Sequence, residues 1–275
     1  MMLLPSAKWR WPSPSGLPSQ RIVGGLLALG AVLWLTAPLV ELNLPRLVSS
    51  SGRLLRFAGQ LAEMPEWGYL PQLLKKLIEA VEMTVLGTSI ATLVSLPLGI
   101  LAASNISPHP WVCRLTRDLL SLMRAMPELV WALVFVSAVG LGPLAGTMAL
   151  AWVTVGFLGK IFAEAIEVVS PKALEGVRAH GAGRIQTLQF AVLPQALPDL
   201  VGTVAYILDH NLRSATILGL VGAGGIGYDL IMSMRMFQYG RLIMIMAAIY
   251  LMVTALDRAS DRLRGQVIYG QVYEQ

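Results

Sequence analysis

Uncharged apolar runs of membrane-crossing length recur along the chain, each bounded by charged or turn-forming residues. A helix crosses a hydrocarbon core of about 30 Å with about 20 residues, and Arg21 to Val40 carries no charge after Arg21. No small-x-small cleavage site follows it, so the segment reads as a retained span rather than a signal peptide. A second span runs from Met83 to Ala103, behind the amphipathic lead-in LPQLLKKLIEAVE, where Lys75 and Glu79 stand four apart and can pair. Leu129 to Gly159 has no charge at all and, at about 46 Å of helix, is too long for one crossing. The cluster GLGP, Gly140 to Pro143, supplies a break. The third span is then predicted to reach back as one helix through Glu128, Pro127 and Arg124 toward Leu119. Leu144 to Phe162 makes the fourth. The fifth begins near Pro194 to Pro198 and passes through Asp209, His210 and Arg213, and the sixth runs from Phe237 to Ala255.

The predicted class is therefore an all-α membrane protein with six transmembrane helices. Composition agrees: 55% of residues are hydrophobic, 13% are charged and the mean hydropathy is +0.65, whereas soluble domains are about a quarter charged. The single Cys113 permits no internal disulfide, and the three histidines are too scattered in sequence to suggest a local metal site. The net charge of +5 comes without a basic run interleaved with aromatics, so it reads as topology and not as nucleic-acid binding. Placing both termini in the cytoplasm puts twelve basic residues inside, seven outside and two, Arg124 and Arg213, within the membrane zone.

Ionisable residues in that zone usually face a partner or an aqueous path. Arg124 and Glu128 lie one helical turn apart and so do Asp209 and Arg213, so each basic residue has an acid that offsets its charge. Together with Thr216 they are the candidate pathway residues. Gly222-x-Gly224-x-x-Gly227 has the spacing of a dinucleotide-binding turn. About 20 positions further, where that turn needs an acidic residue for the ribose, stands the apolar Ala247 to Leu251. A nicotinamide is excluded.

Between spans four and five lies the polar stretch AEAIEVVSPKALEGVRAHGAGRIQTLQ. Lys172 to Ala179 reads as a short helix, Gly181 to Gly183 as a break, and Ile185 to Leu193 as a second helix ending at Pro194. Here the chain resembles the permeases of ABC importers, whose coupling loop has Glu-Ala-Ala, three residues, Gly, a spacer and Leu-Pro. The matching positions are Glu175, Gly176, Val177, Gly181, Leu193 and Pro194, with Gly176 and Val177 departing from two alanines. RAMPELVWALVFVSAVGLGPLAG (124–146), GKIFAEAIE (159–167) and LRSATILGLVGAGGIGYDL (212–230) resemble the phosphonate/phosphite branch of that family.

The resemblance implies the type I importer permease fold. It implies a cytoplasmic tail (1–20), a first span and extracytoplasmic segment (21–70), a permease core (71–260) whose coupling loop is 163–193, and a second cytoplasmic tail (261–275). Glu175, Gly176, Arg178, His180, Gly181, Ala182, Leu193 and Pro194 would dock an ATPase subunit. Gly222, Gly224, Gly225 and Gly227 would form an extracytoplasmic gate between spans five and six. The implied partners are two ABC ATPase subunits, a second copy of the permease, an extracytoplasmic binding protein and the lipid bilayer of a bacterial inner membrane. ATP and Mg would sit on the ATPases, with no cofactor on this chain, since it has no Gly-x-x-x-x-Gly-Lys-Ser/Thr.

The cargo would be a small phosphorus oxyanion, such as a phosphonate or phosphite. A rival class is an ATP-independent secondary transporter or channel in which Glu128 or Asp209 carries a proton. That class favours matched broken helices in the two halves, and only one glycine-interrupted segment occurs. An intramembrane enzyme is disfavoured, because neither His-x-x-x-His nor a Gly-x-Ser-x-Gly turn is present.

Overall fold

The computed structural model describes residues 20–36, 44–61 and 64–269. The predicted irregular tail before residue 20, the end of the first span near Val40 and the last six residues lie outside the described part. Most described residues are helical, in the order α1 Gln20–Thr36, α2 Leu44–Leu61, α3 Leu70–Ala102, α4 Pro110–Met123, α5 Glu128–Val139, α6 Pro143–Glu167, α7 Pro171–Ala179, α8 Arg184–Thr187, α9 Leu193–Leu218, α10 Gly227–Arg235 and α11 Tyr239–Tyr269. The chain divides into two compact units, Met1–Ala58 and Gly59–Gln275. The first holds α1, a short apolar helix, and all but the last three residues of α2, an amphipathic one.

The larger unit is organised around α6. Small residues of α3, at Gly87, Ala91, Ser95 and Gly99, recur every four positions and are buried. They let the two backbones approach closely, as small residues do between membrane helices. A Cβ on Gly99 would meet Phe162 Cβ at 2.7 Å, and one on Gly87 would meet Leu150 Cβ at 3.2 Å. The opposite side of α6 receives α4, where a Cβ on Gly156 would lie 2.7 Å from the Leu120 carbonyl. Leu120, Leu158, Phe162, Ile166, Val192 and Ile207 form the core at this level. A buried polar cluster ties three helices together: Asn211 of α9 donates to Thr88 of α3 and Thr154 of α6, both at 2.9 Å.

Four described helices are long and apolar enough to cross a membrane: Trp67–Ala102, Pro143–Glu167, Arg184–Val221 and Tyr239–Ser260. The third predicted span is not one helix. It is the pair α4 and α5, bent by 84° between Met123 and Glu128. Pro127 explains the break, because it lacks a donor and disfavours the helical conformation at Met126. Counting that pair gives five crossings, and the six-helix expectation stands only if α1, with its end outside the described residues, is the sixth.

Two further expectations are corrected. The second helix of the polar stretch does not end at Pro194: α8 passes through a π-helical turn at Leu188–Val192 straight into α9. The wider turn bonds the Leu193 N–H to the Leu188 carbonyl, and Pro194 then falls in the first turn of α9, where its missing N–H costs little. Glu79 pairs with Lys76 at 2.8 Å and not with Lys75, while its other oxygen accepts the Gly225 N–H at 2.9 Å. That second bond turns the carboxylate toward the glycine loop, on the side Lys76 reaches.

Candidate functional site

The bend between α4 and α5 opens a cavity halfway along α6. Its volume is about 670 Å³, and Arg124, Pro127, Glu128, Val153, Phe157, His210 and Ser214 are among its walls. Arg124 lies at the bend itself, its backbone N within 3.2 Å of a Cβ placed on Gly156. Its exposed guanidinium has no ion-pair or hydrogen-bond partner among the described residues. The expected Arg124–Glu128 pair is absent because the bend separates the two side chains that a continuous helix would have stacked. Glu128 instead meets His210 of α9, Oε1 to Nε2, at 3.3 Å.

Asp209 and Arg213 do pair, at 2.7 Å, but away from this cavity. Arg213 also binds Asp257 of α11 at 2.7 Å, so the guanidinium clamps α9 to α11 between two carboxylates. Thr216 is half-buried and donates to the Arg213 carbonyl at 2.6 Å. Of the five pathway candidates, the cavity therefore gathers Arg124 and Glu128 and leaves out Asp209, Arg213 and Thr216. Sequence reasoning did not assign His210 and Ser214. A histidine inside an apolar run, facing an acid in another such run, was the available signal for His210.

The four candidate gate glycines stand together at one end of α9. Gly222, Gly224 and Gly225 have φ of +77°, +84° and +75°, a region that glycine occupies without steric cost. Gly142 donates to the Gly222 carbonyl at 2.9 Å, and Glu79 holds the Gly225 N–H. A Cβ on Gly224 would meet Pro143 Cα at 2.6 Å, and one on Gly219 would meet the Gly227 nitrogen at 2.5 Å. The loop is thus packed shut against the start of α6. Beside it, Arg241 binds Glu66 through two donors at 2.8 and 3.1 Å and lies over the Tyr69 ring, whose hydroxyl donates to Asp229 at 2.9 Å. The Arg241 hydrogen bonds hold the Glu66 carboxyl below its usual pKa.

At the other end of α9, α7 and α8 form a helical hairpin that turns at Gly181, φ +83°. Glu175, Gly176, Arg178, His180 and Gly181 are exposed, and Ala182 is half-buried. His180 Nδ1 lies 2.8 Å from the Gly176 carbonyl and closes the end of α7. Leu193 and Pro194 belong to the start of α9, beyond the π turn, and not to the tip. The hairpin is joined to the α3–α4 loop by Arg184, which donates to the Pro108 carbonyl at 3.4 Å. That loop is in turn held to α6 by the Ser104 N–H, which donates to Glu167 at 2.6 Å, and Arg117 of α4 binds the same carboxylate oxygen at 2.5 Å.

Membrane-length helices around a largely apolar cavity that holds Arg124, Glu128 and His210, with a packed glycine loop at one end of α9 and an exposed hairpin at the other, are the arrangement expected of a transport permease. Residues 95–267 match the family of binding-protein-dependent transport system inner membrane components. The chain belongs to that family; it is a transport subunit and not an enzyme. It is 39% identical over 239 residues to the phosphite transport system permease protein PtxC of Stutzerimonas stutzeri, covering 87% of this chain and 84% of that one. It is 45% identical over 190 residues to the phosphate-import permease protein PhnE of Mycolicibacterium smegmatis, covering 69% and 36%. In fold it is similar to the MetNI methionine ABC transporter in inward-facing form, with TM-score 0.65, 22% identity and coverage of 74% and 99%.

Proposed function

We propose that this chain is the membrane-spanning permease of an ATP-driven importer for a small phosphorus oxyanion. Relatives named for phosphite, phosphonate and phosphate import support the cargo class. The observation that carries the reading within the chain is Arg124, a guanidinium without a counter-charge facing a cavity halfway along the bundle. A guanidinium presents a planar fork of donors that matches phosphoryl oxygens. Glu128 is occupied by His210, which leaves Arg124 to meet the anion. One fork gives transient contact and not a tight site, so affinity would reside in the binding protein and direction in ATP closure.

In this reading two copies meet about a two-fold axis and complete the path between them. Two ABC ATPase subunits carry ATP and Mg and dock on the hairpin around Glu175 and Gly181, both termini being cytoplasmic. An extracytoplasmic binding protein delivers cargo at the glycine-loop end. The ATP-independent alternative is disfavoured by membership in a binding-protein-dependent family.

Uptake of phosphite, methylphosphonate and phosphate into vesicles holding the full complex tests the reading. Arg124→Gln should lower uptake about 10–100-fold, equivalent to about 1.4–2.7 kcal/mol, with the thermal midpoint unchanged, and Arg124→Lys should keep part of it. Uptake by Arg124→Gln at the unsubstituted rate would overturn the role of Arg124. Failure of all three anions to drive uptake would overturn the cargo class.

A further inference from the structure

The amphipathic helix α2 lies outside everything the transport reading uses. Between Glu41 and Glu63 the chain has no acid and three arginines, Arg46, Arg53 and Arg56. At 100° per residue, Leu54, Leu55 and Ala58 fall on one face, and Arg53, Arg56 and Gln60 on the opposite one. Leu54 and Leu55 are 67% and 74% exposed. Arg53 donates to Ser50 Oγ at 2.7 Å and Arg56 to the Gly52 carbonyl at 3.2 Å. These bonds steady the side chains along the helix and leave further guanidinium donors for a ligand.

We infer that α2 lies in the plane of the membrane surface, with its leucine face in the acyl boundary and Arg53 and Arg56 on the phosphates of anionic lipids. A strongly two-faced helix, basic on one side and of low average hydrophobicity, is the signature of interfacial seating. Chain length limits how far it can stray from its flanking helices. Eight steps separate Thr36, at the end of apolar α1, from Leu44, a reach of at most about 29 Å. Only six separate Leu61 from the start of the membrane-length helix at Trp67, about 22 Å at most. The helix itself is about 27 Å long.

Crossing the bilayer is excluded by charge, since Arg53 and Arg56 would stand near the centre of the span, where a cation is most costly. A second copy of α2 could cover the leucine face but would leave Arg53 and Arg56 without an anionic partner. Lipid supplies both required chemistries, a phosphate for the arginines and an apolar boundary for the leucines, within one interface. The inference rests on membership in a membrane family and not on the identity of the cargo.

The test uses the full-length permease with Cys113→Ala, reconstituted in vesicles with and without phosphatidylglycerol. Single cysteines replace residues 49–60 in turn and carry a nitroxide, and oxygen and a soluble nickel chelate report lipid and water contact. Positions 54, 55 and 58 should contact lipid and positions 56 and 60 water, with a helical period. Arg53→Gln and Arg56→Gln, read at position 55, should each shift seating about fivefold toward water in the anionic vesicles and much less in neutral ones. Water contact at every position, lipid contact at every position, or shielding of the leucine face only after a soluble binding protein is added would each overturn the inference.

Discussion

The loop after α9 and the hairpin before it both turn on left-handed glycines, yet their surroundings differ in kind. Gly224 combines φ +84° with Pro143 at 2.6 Å from its absent Cβ, and Gly219 and Gly227 press on each other's backbone. Gly181 has φ +83° and open space around it, and Gly176 likewise has nothing within 4 Å. In the first loop glycine serves both backbone angle and close packing; in the hairpin it serves the angle alone, and the residues around it remain exposed. A packed loop can act as a seal, because moving it disturbs the start of α6. An exposed hairpin tethered by Arg184 and the π turn can receive a partner without repacking the core.

Substitutions can break this contrast, and the largest effect is expected at Gly224. Gly224→Val should cost about 2–5 kcal/mol, from left-handed strain plus overpacking against Pro143, and should sharply reduce the folded fraction on detergent gel filtration. A well-folded Gly224→Val variant would show that the loop yields and is not a seal. Glu79→Ala removes the acceptor of the buried Gly225 N–H and should lower stability by about 1–3 kcal/mol, seen as a lower thermal midpoint.

At the hairpin, Gly181→Val should cost about 1–2 kcal/mol of local strain, leaving the permease folded while the ATPase subunits dissociate during purification. Normal co-purification would remove Gly181 from the docking surface. The smallest effect is expected for Gly176→Ala, a gain of about 1 kcal/mol of helix stability with docking unchanged, because the new methyl meets nothing. Loss of the ATPases in that variant would show that the partner contacts the backbone at Gly176.

Much of the fold was legible in the chain. The GLGP break falls where α5 ends and α6 begins, since Gly140 and Gly142 take positive φ and Pro143 opens the next helix. Gly181 marks the hairpin turn for the same local reason. Asp209 and Arg213 pair as their spacing allows, but Asp257, 44 residues on, could be brought to Arg213 only by the packing of α9 against α11. The bend in the third span is not legible in hydropathy, which counts apolar residues and is blind to the direction of the helix axis; Pro127 marks where the axis turns. Once the helix bends there, Glu128 leaves Arg124 for His210, and the electrostatic reading of the path changes with it.

By itself, then, the sequence determined the membrane class, the apolar segments, the glycine turns and the Asp209–Arg213 pair within one helix, all of which depend on neighbours a few residues apart. The tertiary structure decided which charges stay unpaired. Arg124 is open to the cavity and Arg213 is enclosed by two carboxylates, although each has an acid four residues away in the chain. Ion pairing depends on distances of a few ångströms between side chains, and an 84° bend or an approaching helix resets those distances without changing a residue.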